Sequence, residues 1–195
     1  SFSFLLSAMV FLGGLFWLGG RYRVRVHRFR KVYVGRADVI RRMGELGRLM
    51  LLKPPRLEPG DTVGVIAPSY PVQPVQEKYN VGIENLRKFG FKVKEGKTVK
   101  LQYKGYMAGT DVERADDINS MFADEEVNAI VCALGGSIAI RSLPHLDYDL
   151  IRRNPKIFSG MSNITTFHIA FLAKTGLTGL HQSDVVFGFG ADMNS

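Results

Sequence analysis

The residues best placed to do chemistry lie around a glycine pair, Gly135 and Gly136, that follows a short apolar run. The run, residues 129–134, is rich in β-forming residues and predicts a buried strand, and the spacing after the glycines predicts a short helix over 138–143. A strand, a tight glycine turn and a helix form the geometry of a nucleophile elbow. The same elements also form an anion-binding loop. The function predicted for the protein therefore depends on which of these two sites residues 129–144 form.

Hydrophobic periodicity after Met50 predicts strands that alternate with helices. This alternation predicts an α/β fold, Rossmann-like or flavodoxin-like, with a mostly parallel sheet flanked by helices. The crossovers between parallel strands are then expected to be right-handed. The predicted strands are 62–67, 91–94, 127–133, 156–159 and 177–180, and the predicted helices are 76–89, 110–122, 138–143, 148–153 and 163–175.

Three loops are expected at the carboxyl edge of this sheet, where ligands of such folds gather. They are residues 67–69, 135–137 and 160–163. Ser69 and Asn163 lie in two of them and are candidates for ligand contact. The alternative for both residues is to complete turns or helix caps.

The net charge of +8 is confined to the first quarter of the chain. Residues 1–49 hold ten Lys or Arg against two acidic residues, whereas residues 50–195 hold 16 of each sign. The globular part therefore offers no electrostatic basis for binding nucleic acid.

Cys132 is the single cysteine and lies inside an apolar run. It predicts a buried thiol, no disulfide framework and a chain suited to a reducing, cytoplasmic location.

Residues 2–20 carry no charged residue and are about long enough to span a bilayer as a helix. The basic cluster that follows would then lie on the cytoplasmic side. A change of composition favours a different interpretation, since all eight prolines and every Asn and Thr lie after Met50. We expect Met50 to be the natural start and residues 1–49 to be an upstream translated extension. A membrane anchor is the alternative.

Several blocks after Met50 carry a family resemblance. They read Lys-Pro-Pro-Arg-Leu-Glu-Pro-Gly-Asp-Thr-Val-Gly-Val-Ile-Ala-Pro-Ser at 53–69, Gly-Tyr-Met-Ala-Gly-Thr-Asp-Val-Glu-Arg-Ala at 105–115, and Gly-Met-Ser-Asn-Ile-Thr at 160–165. With the glycine pair and the Leu143-Pro144 block, they resemble the LD-carboxypeptidase family of serine peptidases. That family includes the murein tetrapeptide carboxypeptidases and the microcin-C immunity peptidases.

The resemblance implies hydrolysis of an amide next to a C-terminal residue by Ser, Glu and His, with no metal and no cofactor. The family carries the Ser on the elbow of its N-terminal domain and the Glu and His on a C-terminal domain. Residues 50–190 would be the N-terminal domain and 191–195 the truncated start of a linker, with the C-terminal domain missing. The fragment is then expected to be inactive by itself.

The position where the resemblance places the nucleophile is Ala139, counted from the glycine pair and from Leu143-Pro144. An alanine methyl group cannot attack a carbonyl carbon. Ser137 lies within the turn and is the candidate substitute nucleophile, and its alternative role is to cap the following helix. The resemblance further implies backbone oxyanion donors at Gly135, Gly136 and Ile140, and substrate contacts at Ser69, Ser162 and Asn163.

Other polar residues have structural predictions. Asp147 is expected to cap a helix, Arg141 to form a surface salt bridge and His168 to pack within the fold. His181 lies at the end of a predicted strand and is the histidine best placed for a role at the ligand edge.

The sequence leaves three functions open. The first is the N-terminal part of a cytoplasmic peptidase that acts on a peptidoglycan peptide or a peptide-nucleotide. The second is a non-catalytic relative that binds peptides or muropeptides. It is suggested by Ala139 and by Asn163, which stands where the block that 160–165 resembles usually reads Asp. The third is a membrane-tethered form that uses residues 2–20, and the domain is a possible homodimer in each case. A dinucleotide site is discounted, because the glycine pair lacks the G-x-G-x-x-G spacing.

Overall fold

The computed structural model describes residues 51–191. Four strands pair in parallel in the order β2-β1-β3-β4. This confirms the predicted parallel α/β sheet, and the order is that of flavodoxin-like folds. The chain leaves β1 toward one side of the sheet and β3 toward the other, so the switch point lies between these two strands. The strands are β1 (Thr62–Ile66), β2 (Lys92–Glu95), β3 (Val127–Cys132) and β4 (Ile157–Ser159).

Two apolar cores cover the two faces of the sheet. One contains Ile130 of β3, Phe122 and Phe171, and the ring centroids of the two phenylalanines are 5.5 Å apart. The other contains Val131 of β3 and Ile83. Successive strand residues point to opposite faces, and both are buried because helices cover both sides. The helices are α1 (Gln76–Lys88), α2 (Asp111–Ala123), α3 (Tyr148–Arg153) and α4 (Thr165–Thr175).

Three of the predicted helix ends are confirmed by their local contacts. Thr110 and Glu113 form a capping box that begins α2. The hydrogen bonds from Thr110 hold the pKa of the Glu113 carboxyl below its usual value. Asp147 caps α3 by accepting the N–H of Leu150 at 2.8 Å. Gly176 ends α4 in the left-handed conformation, with a φ of 82°.

Three sequence predictions are corrected. The segment 177–180 is no fifth strand: Leu177 bridges to Leu52, whereas Leu180 bridges to Ser159 of β4. Its backbone bonds are divided between two partners, so no ladder forms. The segment 138–143 is a 3-10 helix that spans Ala139–His145. The last predicted helix begins at Thr165 and not at 163, because Ser162–Ile164 forms a separate 3-10 turn.

A π-helix over Val185–Phe189 was not predicted. Its N-cap is Asp184, a buried residue whose carboxyl group accepts the N–H of Phe187 at 2.7 Å. The helix packs against α1 at Gly82, where an added Cβ would lie 2.3 Å from the Val185 carbonyl oxygen. The close approach of the two backbones therefore requires glycine at this position.

The free energy of unfolding of an Asp184→Asn variant should increase relative to that of the wild type as pH rises above about 4. Burial raises the pKa of Asp184 above its usual 3.8, against its backbone hydrogen bonds. The folded state thus holds this proton more tightly than the unfolded state, so ionisation at higher pH destabilises the fold. Asparagine keeps the acceptor for Phe187 and does not ionise. Urea unfolding of both proteins at pH 4 to 7 measures the effect, and a pH-independent difference would contradict it.

Within residues 51–191, no helix has the length and apolar character needed to cross a membrane. The predicted membrane segment, residues 2–20, lies outside the described residues.

Candidate functional site

The loops that follow β1, β3 and β4 meet at the carboxyl edge of the sheet, as expected. We call the loops that follow β1 and β4 loop β1 and loop β4. Loop β1 contacts the elbow through the N–H of Tyr70, which donates to the Gly135 carbonyl oxygen at 3.1 Å. Loop β4 reaches it through Asn163, and Ser69 lies between the two. The structure therefore brings Ser69, the glycine pair and Asn163 together beside the switch point.

Ser69 and Asn163 bind the first backbone groups of the 3-10 helix after the elbow. The Asn163 Oδ1 atom accepts the N–H of Ala139 at 2.7 Å and the hydroxyl of Ser69 at 3.0 Å. The Ser69 oxygen in turn accepts the N–H of Ile138 at 3.3 Å. Both residues thus cap a helix, although it is a helix remote from them in sequence. Ser69 is completely buried, and direct contact with a ligand stays a prediction for it.

The turn has no room for a side chain at Gly136 and little room for one at Gly135. Gly136 has a φ of 152°, and a Cβ there would lie 2.4 Å from the Ser69 oxygen and 2.6 Å from Cδ2 of Tyr70. A Cβ on Gly135 would lie 3.0 Å from that of Ser162. Tyr70, which the sequence analysis missed, therefore forms one wall of the turn. The residue is 39% exposed.

Ala139 and Ser137 occupy different environments. Ala139 is completely buried at the start of the 3-10 helix. Ser137 is exposed, and its predicted capping role is wrong: Ile138 is the N-cap residue and no side chain caps the helix from that position. Ser142 is buried, and its hydroxyl has no partner among the described residues. Ser137 is therefore the accessible hydroxyl of this segment, and its role as a nucleophile stays a prediction.

Ser162 lies in a strained conformation opposite the glycine turn. Its φ is 59°, in the left-handed region that non-glycine residues rarely adopt, and its side chain is exposed. Such outliers concentrate at binding and catalytic sites, where the surrounding structure holds them in place. Contact between Ser162 and a ligand stays a prediction.

Asp111, the first residue of α2, anchors the 3-10 helix after the elbow through Arg141. Its Oδ2 atom accepts from Nε of Arg141 at 3.0 Å, which confirms the predicted salt bridge. Its Oδ1 atom accepts from the fully buried Arg114 at 2.6 Å. Partial burial raises the pKa of Asp111, but the two guanidinium groups outweigh this and hold the pKa below its usual value.

A series of buried hydrogen bonds, which we call the buried relay, connects α2 to loop β1. Asp117 of α2 accepts the backbone N–H groups of Lys97 and Thr98 at 3.0 and 2.9 Å and the Thr98 hydroxyl at 2.5 Å. That hydroxyl accepts the N–H of Ala67 at 2.8 Å, two residues before Ser69. Gly96 permits the arrangement, because a Cβ there would lie 2.4 Å from Asp117. The spacing of these residues gave no indication of the relay.

The histidines within residues 51–191 lie in structural or surface positions. His168 packs as predicted, with Nε2 at 2.8 Å from the Gly160 carbonyl oxygen, and burial lowers its pKa. His181 is exposed, with its ring centroid 6.1 Å from that of His168. Across residues 51–191, no group of three or more His, Cys, Asp or Glu residues is arranged to hold a metal ion.

The arrangement resembles a nucleophile elbow that lacks its nucleophile. A strand, a tight turn and a helix are present, and fixed backbone groups surround the turn. The residue at the expected slot carries only a methyl group. Attack on a carbonyl from position 139 is therefore chemically excluded.

Comparison with known proteins gives a consistent assignment. The sequence profile described as "LD-carboxypeptidase N-terminal domain" matches residues 63–182. A Bacillus subtilis protein named "Probable murein peptide carboxypeptidase" is 44% identical over 72% of this chain and 43% of its own length. The microcin C7 self-immunity protein MccF of Escherichia coli is 36% identical over 67% of this chain and 38% of its own length.

Solved structures agree with the sequence matches. MccF in complex with aspartyl sulfamoyl adenosine superposes with a TM-score of 0.70 at 34% identity, over 73% of this chain and 42% of that one. The chain thus spans less than half the length of these relatives. It belongs to the LD-carboxypeptidase family, whose N-terminal domain it contains.

Proposed function

We propose that the chain forms the elbow-bearing half of an LD-carboxypeptidase-type site and that, by itself, it binds a peptidoglycan peptide or peptide-nucleotide without cleaving it. The observation that carries the proposal is Ala139, a buried residue at the start of the 3-10 helix, in the position where the resemblance places a serine nucleophile. The exposed Ser137 and Ser162 on the surrounding loops remain available for binding.

The relatives support both ligand classes. One carries a murein peptide name, and MccF has been solved with aspartyl sulfamoyl adenosine, in which an amino acid is joined to a nucleoside. Another solved MccF structure carries alanine in place of an active-site serine, asparagine and lysine. An alanine at such a site is therefore compatible with an intact fold in this family.

Hydrolysis through Ser137 is the second candidate function, since this exposed hydroxyl directly follows Gly136. Attack from Ser137 would require a base to take its proton.

A cytoplasmic location, suggested by the single buried Cys132, and a possible homodimer remain parts of the proposal.

The proposal predicts measurable binding without turnover. Calorimetric titration of the full chain with a murein tetrapeptide and with aspartyl sulfamoyl adenosine should detect binding of one of them. Mass spectrometry of the same mixtures should find the ligand intact. Release of the C-terminal residue that disappears in Ser137→Ala would show that Ser137 is a nucleophile and that the non-cleaving proposal is wrong. Absence of binding to both ligands would also overturn it.

A further inference from the structure

His168 of α4 holds the carbonyl oxygen of Gly160, the residue with which loop β4 begins. The Nε2 atom of the ring lies 2.8 Å from that oxygen. A carbonyl oxygen can only accept a hydrogen bond, so Nε2 must carry the proton and donate it. Burial lowers the pKa of His168, which favours the neutral ring that this contact requires at pH 7.

The other ring nitrogen of His168 has no such role. Nδ1 is buried and has no hydrogen-bond partner within residues 51–191. It faces Gly179 so closely that a Cβ on that residue would lie 2.1 Å away. The Phe158 ring packs edge-on against the imidazole, with the centroids 5.6 Å apart. Among the described residues, the polar contact of His168 is therefore the one with loop β4.

Gly160 is fixed on both sides of its backbone. Its N–H donates to the Leu180 carbonyl oxygen at 3.2 Å, and within the described part of the chain its own oxygen accepts from His168 alone. The residue is buried, and a Cβ there would lie 2.9 Å from Cγ2 of Ile164 and 3.0 Å from Cβ of Cys132. Loop β4 therefore starts from a closely held peptide group.

The residues that follow Gly160 depend on such support. Ser162 has a φ of 59°, a conformation that persists only where the surrounding structure holds it. The next residue, Asn163, accepts the N–H of Ala139 at 2.7 Å and the hydroxyl of Ser69 at 3.0 Å. Loss of the bond to His168 would let the backbone before Ser162 relax, and Asn163 would move with it.

We infer that His168 is a positioning residue of the elbow site: its Nε2–H holds Gly160, and loop β4 in turn holds Asn163 against the 3-10 helix after the elbow. The inference goes beyond the packing role of His168, because it makes the site depend on one ring nitrogen. Its consequence for ligand binding rests on the proposed function, whereas its consequence for the ligand-free protein does not.

The test compares His168→Gln with His168→Met in the full chain. The two side chains are similar in length, both suit a helix, and both lose the ring contact with Phe158. Only glutamine has an amide N–H that can replace the Nε2–H of histidine. The variants therefore differ in the hydrogen bond to Gly160 and share the other losses.

Deuterium exchange of the Ala139 amide, followed by NMR without ligand, reads the position of Asn163. The Ile130 amide of β3 is the internal reference, because general loosening of the fold accelerates both amides. Relative to Ile130, Ala139 should exchange about tenfold faster in His168→Met than in the wild type. In His168→Gln the ratio should stay within about threefold of the wild type.

Calorimetric titration with a murein tetrapeptide and with aspartyl sulfamoyl adenosine reads the consequence for binding. Urea unfolding first establishes conditions in which each variant is folded. Affinity for the ligand that the wild type binds should fall about tenfold in His168→Met and should be largely retained in His168→Gln.

The outcomes distinguish the inference from the proposed function. Wild-type exchange or wild-type affinity in His168→Met would overturn the inference, and so would equal losses in the two variants, because packing alone would then explain the position of His168. No binding of either ligand by the wild type would overturn the proposed function, and the exchange ratios would still decide the inference.

Discussion

Replacing Gly136 with alanine should destabilise the domain by roughly 2–5 kcal/mol and abolish ligand binding. Two costs combine. A φ of 152° is unfavourable for a residue with a Cβ. That Cβ would also lie 2.4 Å from the Ser69 oxygen, which is buried and held by Asn163 and Ile138. The turn must shift to relieve the contact, and the contacts of Ser69 would shift with it. Urea unfolding and calorimetric titration measure the two effects.

Gly105→Ala is the matched control for this prediction. Gly105 also has a positive φ, 78°, but nothing lies within 4 Å of the position its Cβ would take. The control therefore carries the backbone cost alone, about 1–2 kcal/mol, and should retain ligand binding. If both variants lose the same stability and both still bind ligand, the close packing at Gly136 has no functional role.

Replacing Asp117 with alanine should cost roughly 3–5 kcal/mol of unfolding free energy. Three donors would lose their acceptor together: the N–H groups of Lys97 and Thr98 and the Thr98 hydroxyl. Thr98 is completely buried, so water cannot replace the carboxylate without rearrangement. The N–H of Ala67 relies on the same hydroxyl and should exchange faster with deuterium.

Asp116→Ala tests whether this cost is specific to the buried relay. Asp116 is the preceding residue of α2 and is exposed. The substitution changes charge and helix propensity in the same way, so a change of about 0.5 kcal/mol or less is expected. A similar loss in both variants would attribute the effect to the helix and not to the relay.

The sequence was sufficient to predict the sheet and the elbow because their signals are local. The run 129–134 is apolar along its whole length, as a strand covered on both faces must be. Gly135 and Gly136 follow it directly and stop the strand. The capping box at Thr110 and the C-terminal Gly176 likewise act within a few residues of the helix ends that they define.

The contacts that complete the site are remote in sequence and left no local signal. Asn163 is 94 residues from Ser69 and 24 from Ala139. Taken alone, the Ser in loop β1 and the Asn in loop β4 are equally typical of an ordinary turn. The segment 177–180 has strand composition, yet its pairing depends on where Leu52 and β4 lie. The π-helix at 185–189 depends on the buried Asp184 and on close packing against Gly82 of α1.

The most direct test of the account is an amide NMR titration of the full chain with a murein tetrapeptide. The central claim is that the elbow binds the ligand although position 139 carries only a methyl group. Binding there should shift the backbone resonances of Gly136 and Ser137 and the side-chain amide resonance of Asn163. Shifts confined to residues away from the three loops, or no shifts at millimolar ligand, would contradict the claim.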